Sequence, residues 1–141
     1  MHLGTGWANA KFNKADFLEE ERSSDVVRIE ALIDSVCDHG CDYWCSSENR
    51  LDDHLKHRIP SDLHEIGVIV WELFRDDANL RKAVNIELDR FEDSITNGNF
   101  GIAEHGNEVE RILPIRKTAS ALRSKVRTLR RSLKRKWFSF T

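Results

Sequence analysis

The clearest hydrophobic pattern in the chain lies near its C-terminal end. Apolar residues recur there at alternating intervals of four and three: Ile115, Ala119, Leu122, Val126, Leu129, Leu133 and Trp137. A helix that buries one narrow stripe has this spacing. Pro114 suits the first turn of such a helix, because the N–H that proline lacks has no partner there. The pattern predicts one helix within residues 111–141.

An earlier amphipathic helix is predicted after Ser23-Ser24-Asp25, a sequence that favours a helix N-terminus. Its apolar positions are again three and four residues apart: Val26, Ile29, Ile33, Val36 and Cys37. We expect this helix to end at His39-Gly40, because glycine is favoured just beyond a C-cap. A separate short helix would then cover residues 43–57, although the pattern leaves continuation through Gly40 open.

Two further helices are predicted in the middle of the chain. Pro60 forces the preceding residue away from helical geometry, so Pro60-Ser61 predicts a junction. Residues 63–74 follow as the most apolar run, and its breadth predicts a central helix with neighbours on several sides. Asp76-Asp77 are suited to cap the next helix, with one bent helix as the alternative. The run TNGNFG at residues 96–101 predicts a loop between helices.

These elements together predict an all-α protein, an irregular bundle of five or six helices in a single domain of 141 residues. Three parts are expected within it: an N-terminal arm over residues 1–13, an acidic helical body over 14–110 and a basic C-terminal helix over 111–141. No apolar run is long enough to span a membrane. Three cysteines and no apolar N-terminal segment favour a cytoplasmic protein with reduced thiols.

Charge is distributed very unevenly along the chain. Residues 111–141 hold eleven of the 22 Lys and Arg residues and no acidic residue, so this segment carries +11 and the rest carries −13. Cations along a helix match the spacing of a nucleic-acid phosphate backbone, and the excess of arginine favours bidentate phosphate contacts. The phosphate-binding residues that we predict are Arg116, Lys117, Arg123, Arg127, Arg130, Arg131, Lys134 and Arg135.

The leading hypothesis is therefore a non-enzymatic helical subunit of a larger complex that binds nucleic-acid backbone without sequence preference. The alternative is a protein-interaction module whose basic helix docks on an acidic partner or self-associates through its apolar stripe. A third interpretation needs no partner, because the cations can neutralise the acidic body of the same chain.

Catalytic and metal-binding patterns are weaker. Cys37, Cys41 and Cys45 lie four residues apart on one helix face, which favours buried thiols, with a metal site as the alternative. Arg50 and His57 resemble the Arg-x(4–6)-His motif of helical ribonucleases of the HEPN type, which would imply a nuclease acting across a dimer interface. Their charged surroundings favour a solvated helix face. No phosphate-binding glycine loop or nucleophile motif occurs, so we predict no enzyme, metal or cofactor.

Overall fold

The structure is a computed structural model that describes residues 3–45, 49–102 and 106–139, with side chains for 19–45, 53–102 and 106–133. These residues form four α-helices: α1 (Leu3–Cys45), α2 (Asn49–Leu73), α3 (Ala78–Thr96) and α4 (Ile112–Ser139). A single 3₁₀ turn at Val109–Arg111 leads into α4, and no strand occurs in this part of the chain. The fold is all-α, as predicted.

The four helices enclose one hydrophobic core. Helix α1 contacts both α2 and α4, and α3 contacts the same two helices, while α2 and α3 have the least contact of these pairs. Ion pairs that join Asp34 to Arg123 and Glu30 to Arg127 show that α1 and α4 run antiparallel. The connections from α1 to α2 and from α2 to α3 are short, whereas residues 97–111 separate α3 from α4. The four helices have the up-down-up-down arrangement of a four-helix bundle. No helix among the described residues carries an apolar stretch long enough to cross a membrane.

Helix α1 continues through Gly40, so the predicted break at this residue is wrong. A Cβ atom at Gly40 would lie 3.2 Å from Cγ1 of Ile95 on α3. The glycine therefore leaves room for the side chain of Ile95 against α1 inside the core, and it does not end the helix. Because residues 43–45 belong to the same helix, the separate helix predicted over residues 43–57 is replaced by the end of α1 and the start of α2.

The predicted junction at Pro60 is also wrong, since Pro60 lies within α2. Proline inside a helix removes one backbone hydrogen bond and costs about 3 kcal/mol. Tertiary packing offsets that cost here, because Leu55, Ile59, Leu63 and Ile66 continue the buried stripe across the proline. With Gly40 and Pro60 both inside helices, the described residues form fewer helices than the five or six predicted.

The N-terminal segment differs from the predicted arm as well, because α1 begins at Leu3. After Gly6 the segment contains no glycine or proline, and Ala8, Ala10 and Lys11 are strong helix formers. The side chains of residues 1–18 lie outside the described part. The expected docking of Trp7 and Phe12 therefore stays a prediction.

Two predicted boundaries are confirmed. The side chain of Asp77 accepts hydrogen bonds from the backbone N–H groups of Asn79 and Leu80, so Asp77 is the N-cap of α3. Helix α3 ends at Thr96, and the following loop contains Gly98 and Gly101 at φ values of 78° and 84°. Only glycine adopts such values without strain, which explains the composition of this turn.

The end of α1 is fixed to the loop between α3 and α4. The indole N–H of Trp44 donates a hydrogen bond to the backbone oxygen of Ile95 at 2.8 Å. The hydroxyl of Tyr43 accepts one from the backbone N–H of Gly101 at 2.9 Å. The guanidinium of Arg111 lies 3.7 Å from the ring centre of Trp44, within the range of a cation–π interaction. These contacts hold the start of α4 against the bundle.

Candidate functional site

The apolar stripe of α4 lies in the core of the bundle. Its members Ile115, Ala119, Leu122 and Val126 are fully buried. The predicted packing of this stripe is therefore confirmed from Ile115 to Val126, and Leu129 and Leu133 pack against the core while partly buried. The side chain of Trp137 lies outside the described residues. As a consequence, self-association through the stripe would require the bundle to open.

Three of the arginines predicted to bind phosphate contact acidic residues of α1. Arg123 pairs with Asp34, and Arg127 pairs with Glu30. Nη2 of Arg130 lies 2.9 Å from Oε1 of Glu19. The predicted continuous row of outward-facing cations is therefore not observed, because these three arginines point toward acidic residues of α1. The hydrogen bond from Arg127 and, to a smaller extent, its charge lower the pKa of Glu30.

The other predicted phosphate contacts are distributed differently. Arg116, Lys117 and Arg131 are exposed on α4. Lys134 and Arg135 belong to α4, but their side chains lie outside the described residues. Arg127 is exposed as well but pairs with Glu30. Fewer of the predicted cations are therefore both exposed and without a carboxylate partner in the described part than the sequence pattern predicts.

A groove that the sequence analysis does not predict runs between α2 and α3, where the two helices have the least contact. It encloses about 680 Å³, and most of its lining is apolar. Leu63, Gly67 and Leu88 lie along it, with Val68 and Trp71 on the α2 side. Val68 is 43% exposed and Trp71 is 56% exposed. The sequence signal for this groove was the breadth of the apolar run in residues 63–74. Val68 and Trp71 belong to that run but lie outside the stripe that faces the core.

Charged groups lie at the two sides of this groove. The guanidinium of Arg81 lies 4.0 Å from the ring centre of Trp71, and it is also held by the backbone oxygens of Phe74 and Arg75. Along α3, Glu92 lines the groove and Asp89 is exposed one turn earlier. Neither carboxylate has an ion-pair partner among the side chains that the structure describes. The α3 side of the groove therefore carries the carboxylate of Glu92, whereas the cation of Arg81 lies beside Trp71.

Two of the three cysteines behave as core residues. Cys37 and Cys41 are buried, so the predicted packing of these thiols is confirmed. Burial raises the pKa of Cys37 to about 11, and it also raises the pKa of Cys41. Both thiols are consequently protonated and unreactive near neutral pH. Cys45 is partly buried.

The remaining candidate chemistry is not brought together. Among the described side chains, no group of three or more His, Cys, Asp or Glu residues is arranged to hold a metal ion. His57 is exposed on α2, whereas the side chain of Arg50 lies outside the described residues. The nuclease-like pair therefore stays a sequence resemblance. Comparisons with protein-family models, curated proteins and solved structures found no match for this chain.

Proposed function

We propose that this protein is a helical protein-interaction module that accepts a partner helix in the groove between α2 and α3. The observation that carries the proposal is the open apolar groove with Val68 and Trp71 exposed along it. Amphipathic helices bind in such grooves through apolar residues spaced by three and four positions. A large exposed apolar surface on a soluble domain is commonly an interaction site.

The charge of the groove defines the partner more closely. Glu92 lines the groove on the α3 side, Asp89 is exposed one turn earlier on α3, and neither has an ion-pair partner in the described part of the chain. A partner helix with Lys or Arg beside its apolar stripe would place cations next to these carboxylates. An acidic helix would be repelled at the same position. We therefore infer an amphipathic partner helix with a cationic flank.

Binding can be measured with two labelled helical peptides that share a leucine stripe and differ only in Lys or Glu at the flanking positions. Fluorescence anisotropy should show binding of the Lys peptide. Val68→Glu should weaken that binding at least about tenfold, because a charge would enter an apolar contact. Val27→Glu is the matched control, since Val27 is 67% exposed and lies on α1, away from the groove.

The charge preference is tested by the double variant Asp89→Lys/Glu92→Lys. This variant should lose affinity for the Lys peptide and gain affinity for the Glu peptide. Equal binding of both peptides by the wild type, or no effect of Val68→Glu, would refute the groove proposal. Dimerisation of the pure protein that depends on Val68 would instead make a second copy the occupant and would overturn the choice of a cationic partner.

Binding of nucleic-acid backbone by α4 is the second candidate function. It is favoured by the exposure of Arg116, Lys117 and Arg131, which adds to the basic composition of the segment. It is opposed by the pairing of Arg123 and Arg127 with α1, because the nearby carboxylates repel a polyanion. The two functions use different faces, so they can be separated by mutation.

A nucleic-acid retention assay across a salt series tests the second function. Lys117→Glu/Arg131→Glu should weaken retention and reduce the slope of log affinity against log salt by about 2. Val68→Glu should leave retention unchanged and serves as the control. Retention that does not depend on salt, or that survives the double charge reversal, would exclude α4 as a phosphate-binding helix.

A further inference from the structure

At one end of the groove between α2 and α3, a tryptophan of α2 meets an arginine of α3. Trp71 is the last residue of α2 along the groove, and Cζ of Arg81 lies 4.0 Å from the centre of its ring. Nη1 of Arg81 also donates long hydrogen bonds, of 3.4 and 3.3 Å, to the backbone oxygens of Phe74 and Arg75. Arg81 therefore reaches from α3 to the C-terminal end of α2, and these contacts hold its cation beside the groove.

Arg81 lies on the face of α3 that borders the groove. Arg81, Leu88 and Glu92 are seven and four residues apart, a spacing that places them on one face of a helix. Leu88 and Glu92 line the groove, so this face is the one toward the groove. At 1.5 Å per residue, Arg81 and Glu92 are about 16 Å apart along α3. The groove thus has a cation at its Trp71 end and a carboxylate about three turns away.

The acidic residues near Arg81 do not neutralise its cation. Arg81 has no ion-pair partner among the described side chains. The carboxylate of Asp77 caps α3, and Glu72 lies toward α1, where its charge acts on an acidic residue of that helix. Arg75 and Asp76 are exposed and carry opposite charges. The guanidinium of Arg81 can therefore accept a carboxylate from a molecule that occupies the groove.

Occupation of the groove changes the surroundings of this cation. A helix that packs on Trp71 removes water from the ring and from the guanidinium beside it. An unpaired cation loses hydration at such a contact, whereas a carboxylate of the partner replaces the lost water with a charge-assisted hydrogen bond. A lysine at the same place would be repelled. The Trp71 end of the groove therefore selects an anionic side chain.

We propose that the partner helix has its charges segregated along its length, with Lys or Arg opposite Glu92 and, about eleven residues away, Glu or Asp opposite Arg81. This inference rests on the helix-binding function proposed above. It adds a second charge of opposite sign and the distance between the two charges. Arg81 is then a residue that determines which amphipathic helices the groove accepts.

Two labelled helical peptides test the second charge. They share a leucine stripe and one Lys, and they differ only at the position eleven residues from that Lys, where one peptide has Glu and the other has Gln. Each is titrated with the full chain, and binding is followed by fluorescence anisotropy. Both should bind the wild type, and the Glu peptide should bind about threefold more tightly or better, because it gains one ion pair.

Two protein variants locate the contact. Arg81→Gln removes the cation and keeps an N–H donor for the backbone oxygens at the end of α2, and the affinity ratio of the two peptides should fall to about 1. Any movement of Trp71 weakens both peptides, and a difference in their helicity affects both proteins alike, so the ratio isolates the contact of Arg81 with Glu. Lys82→Gln is the matched control, since Lys82 is an exposed cation at the next position of α3 and does not line the groove. It should keep the ratio of the wild type.

Equal affinities of the Glu and Gln peptides for the wild type, or an unchanged ratio in Arg81→Gln, would overturn the segregated charges and leave the groove as a helix-binding site. A ratio that is lost equally in Arg81→Gln and Lys82→Gln would also overturn this inference, because net charge and not a contact with Arg81 would then explain it. Failure of both peptides to bind the wild type would instead refute the proposed function, and this inference with it.

Discussion

Alanine at two glycines deep inside helices, Gly40 and Gly67, should affect stability differently. Glycine in a helix interior costs about 1 kcal/mol relative to alanine. At Gly67 a Cβ atom would meet only Cδ2 of Leu88, at the ordinary contact distance of 3.9 Å. Gly67→Ala should therefore raise the free energy of unfolding by about 1 kcal/mol.

At Gly40 the same change meets a tightly packed neighbour. The new Cβ atom would lie 3.2, 3.3 and 3.4 Å from three side-chain carbons of Ile95. Ile95 is fully buried, and its backbone oxygen accepts the indole hydrogen bond of Trp44. A shift of Ile95 would disturb both contacts. Overpacking of this kind typically costs about 1–3 kcal/mol, which equals or exceeds the gain in helix propensity.

Urea unfolding followed by circular dichroism at 222 nm measures both variants under one set of conditions. The free energies of unfolding of Gly67→Ala and Gly40→Ala should differ by at least about 1 kcal/mol, with Gly67→Ala the more stable. Equal stabilisation by both substitutions would refute the tight packing of Ile95 against Gly40. It would also remove the physical reason given for the continuation of α1 through Gly40.

Three further predictions concern individual side chains. Trp44→Phe should lower the free energy of unfolding by about 1–3 kcal/mol in urea titrations, because it leaves the buried backbone oxygen of Ile95 without a donor. The wild type should be more stable than Glu30→Gln above pH 4.5, and this difference should disappear as the pH falls through the lowered pKa of Glu30. Acid titrations of both proteins, followed by fluorescence, measure the difference. Cys37, whose pKa is raised to about 11, should not react with a thiol reagent at pH 8 in the native protein and should react in urea.

The parts of the fold that were predictable are those set by local sequence. The four-and-three spacing from Ile115 to Val126 identified the residues of α4 that reach the core. The carboxylate of Asp77 and the glycines of the following loop identified both ends of α3. In each case the required conformation follows from the residue itself and its near neighbours, so one sequence was sufficient.

Gly40 and Pro60 show where local rules fail. Both residues favour a helix end, but distant contacts decide their conformation. Gly40 is required by a side chain 55 residues later in the chain, Ile95 on α3. Pro60 is retained in α2 because Ile59 and Leu63 beside it are buried in the core. Neither contact can be identified from a single sequence without knowing which helices are neighbours.

The candidate site was only partly predictable for the same reason. The cations of α4 were identified, but counting charges by segment did not show which face of the helix would carry them. Glu30 and Asp34 lie one turn apart on α1, so they form an acidic face at the spacing that matches Arg123 and Arg127 on an antiparallel neighbour. That complementary spacing was the sequence signal for ion pairs within the chain. The signal identifies these particular pairs only when α1 and α4 are known to be adjacent.

The energies of these contacts assign different roles to the stripe and to the charges. Burial of a large aliphatic side chain such as Ile115 or Leu122 contributes about 1.5–3 kcal/mol, whereas an exposed ion pair contributes about 0–1 kcal/mol. The stripe therefore provides most of the stability of the α1–α4 contact. The ion pairs instead disfavour a one-turn shift that would place Arg123 opposite Glu30, because Ala119 would then face Asp34 and leave it without a cation. A polyanion would have to displace these pairs, and this competition favours the groove between α2 and α3 as the principal binding surface.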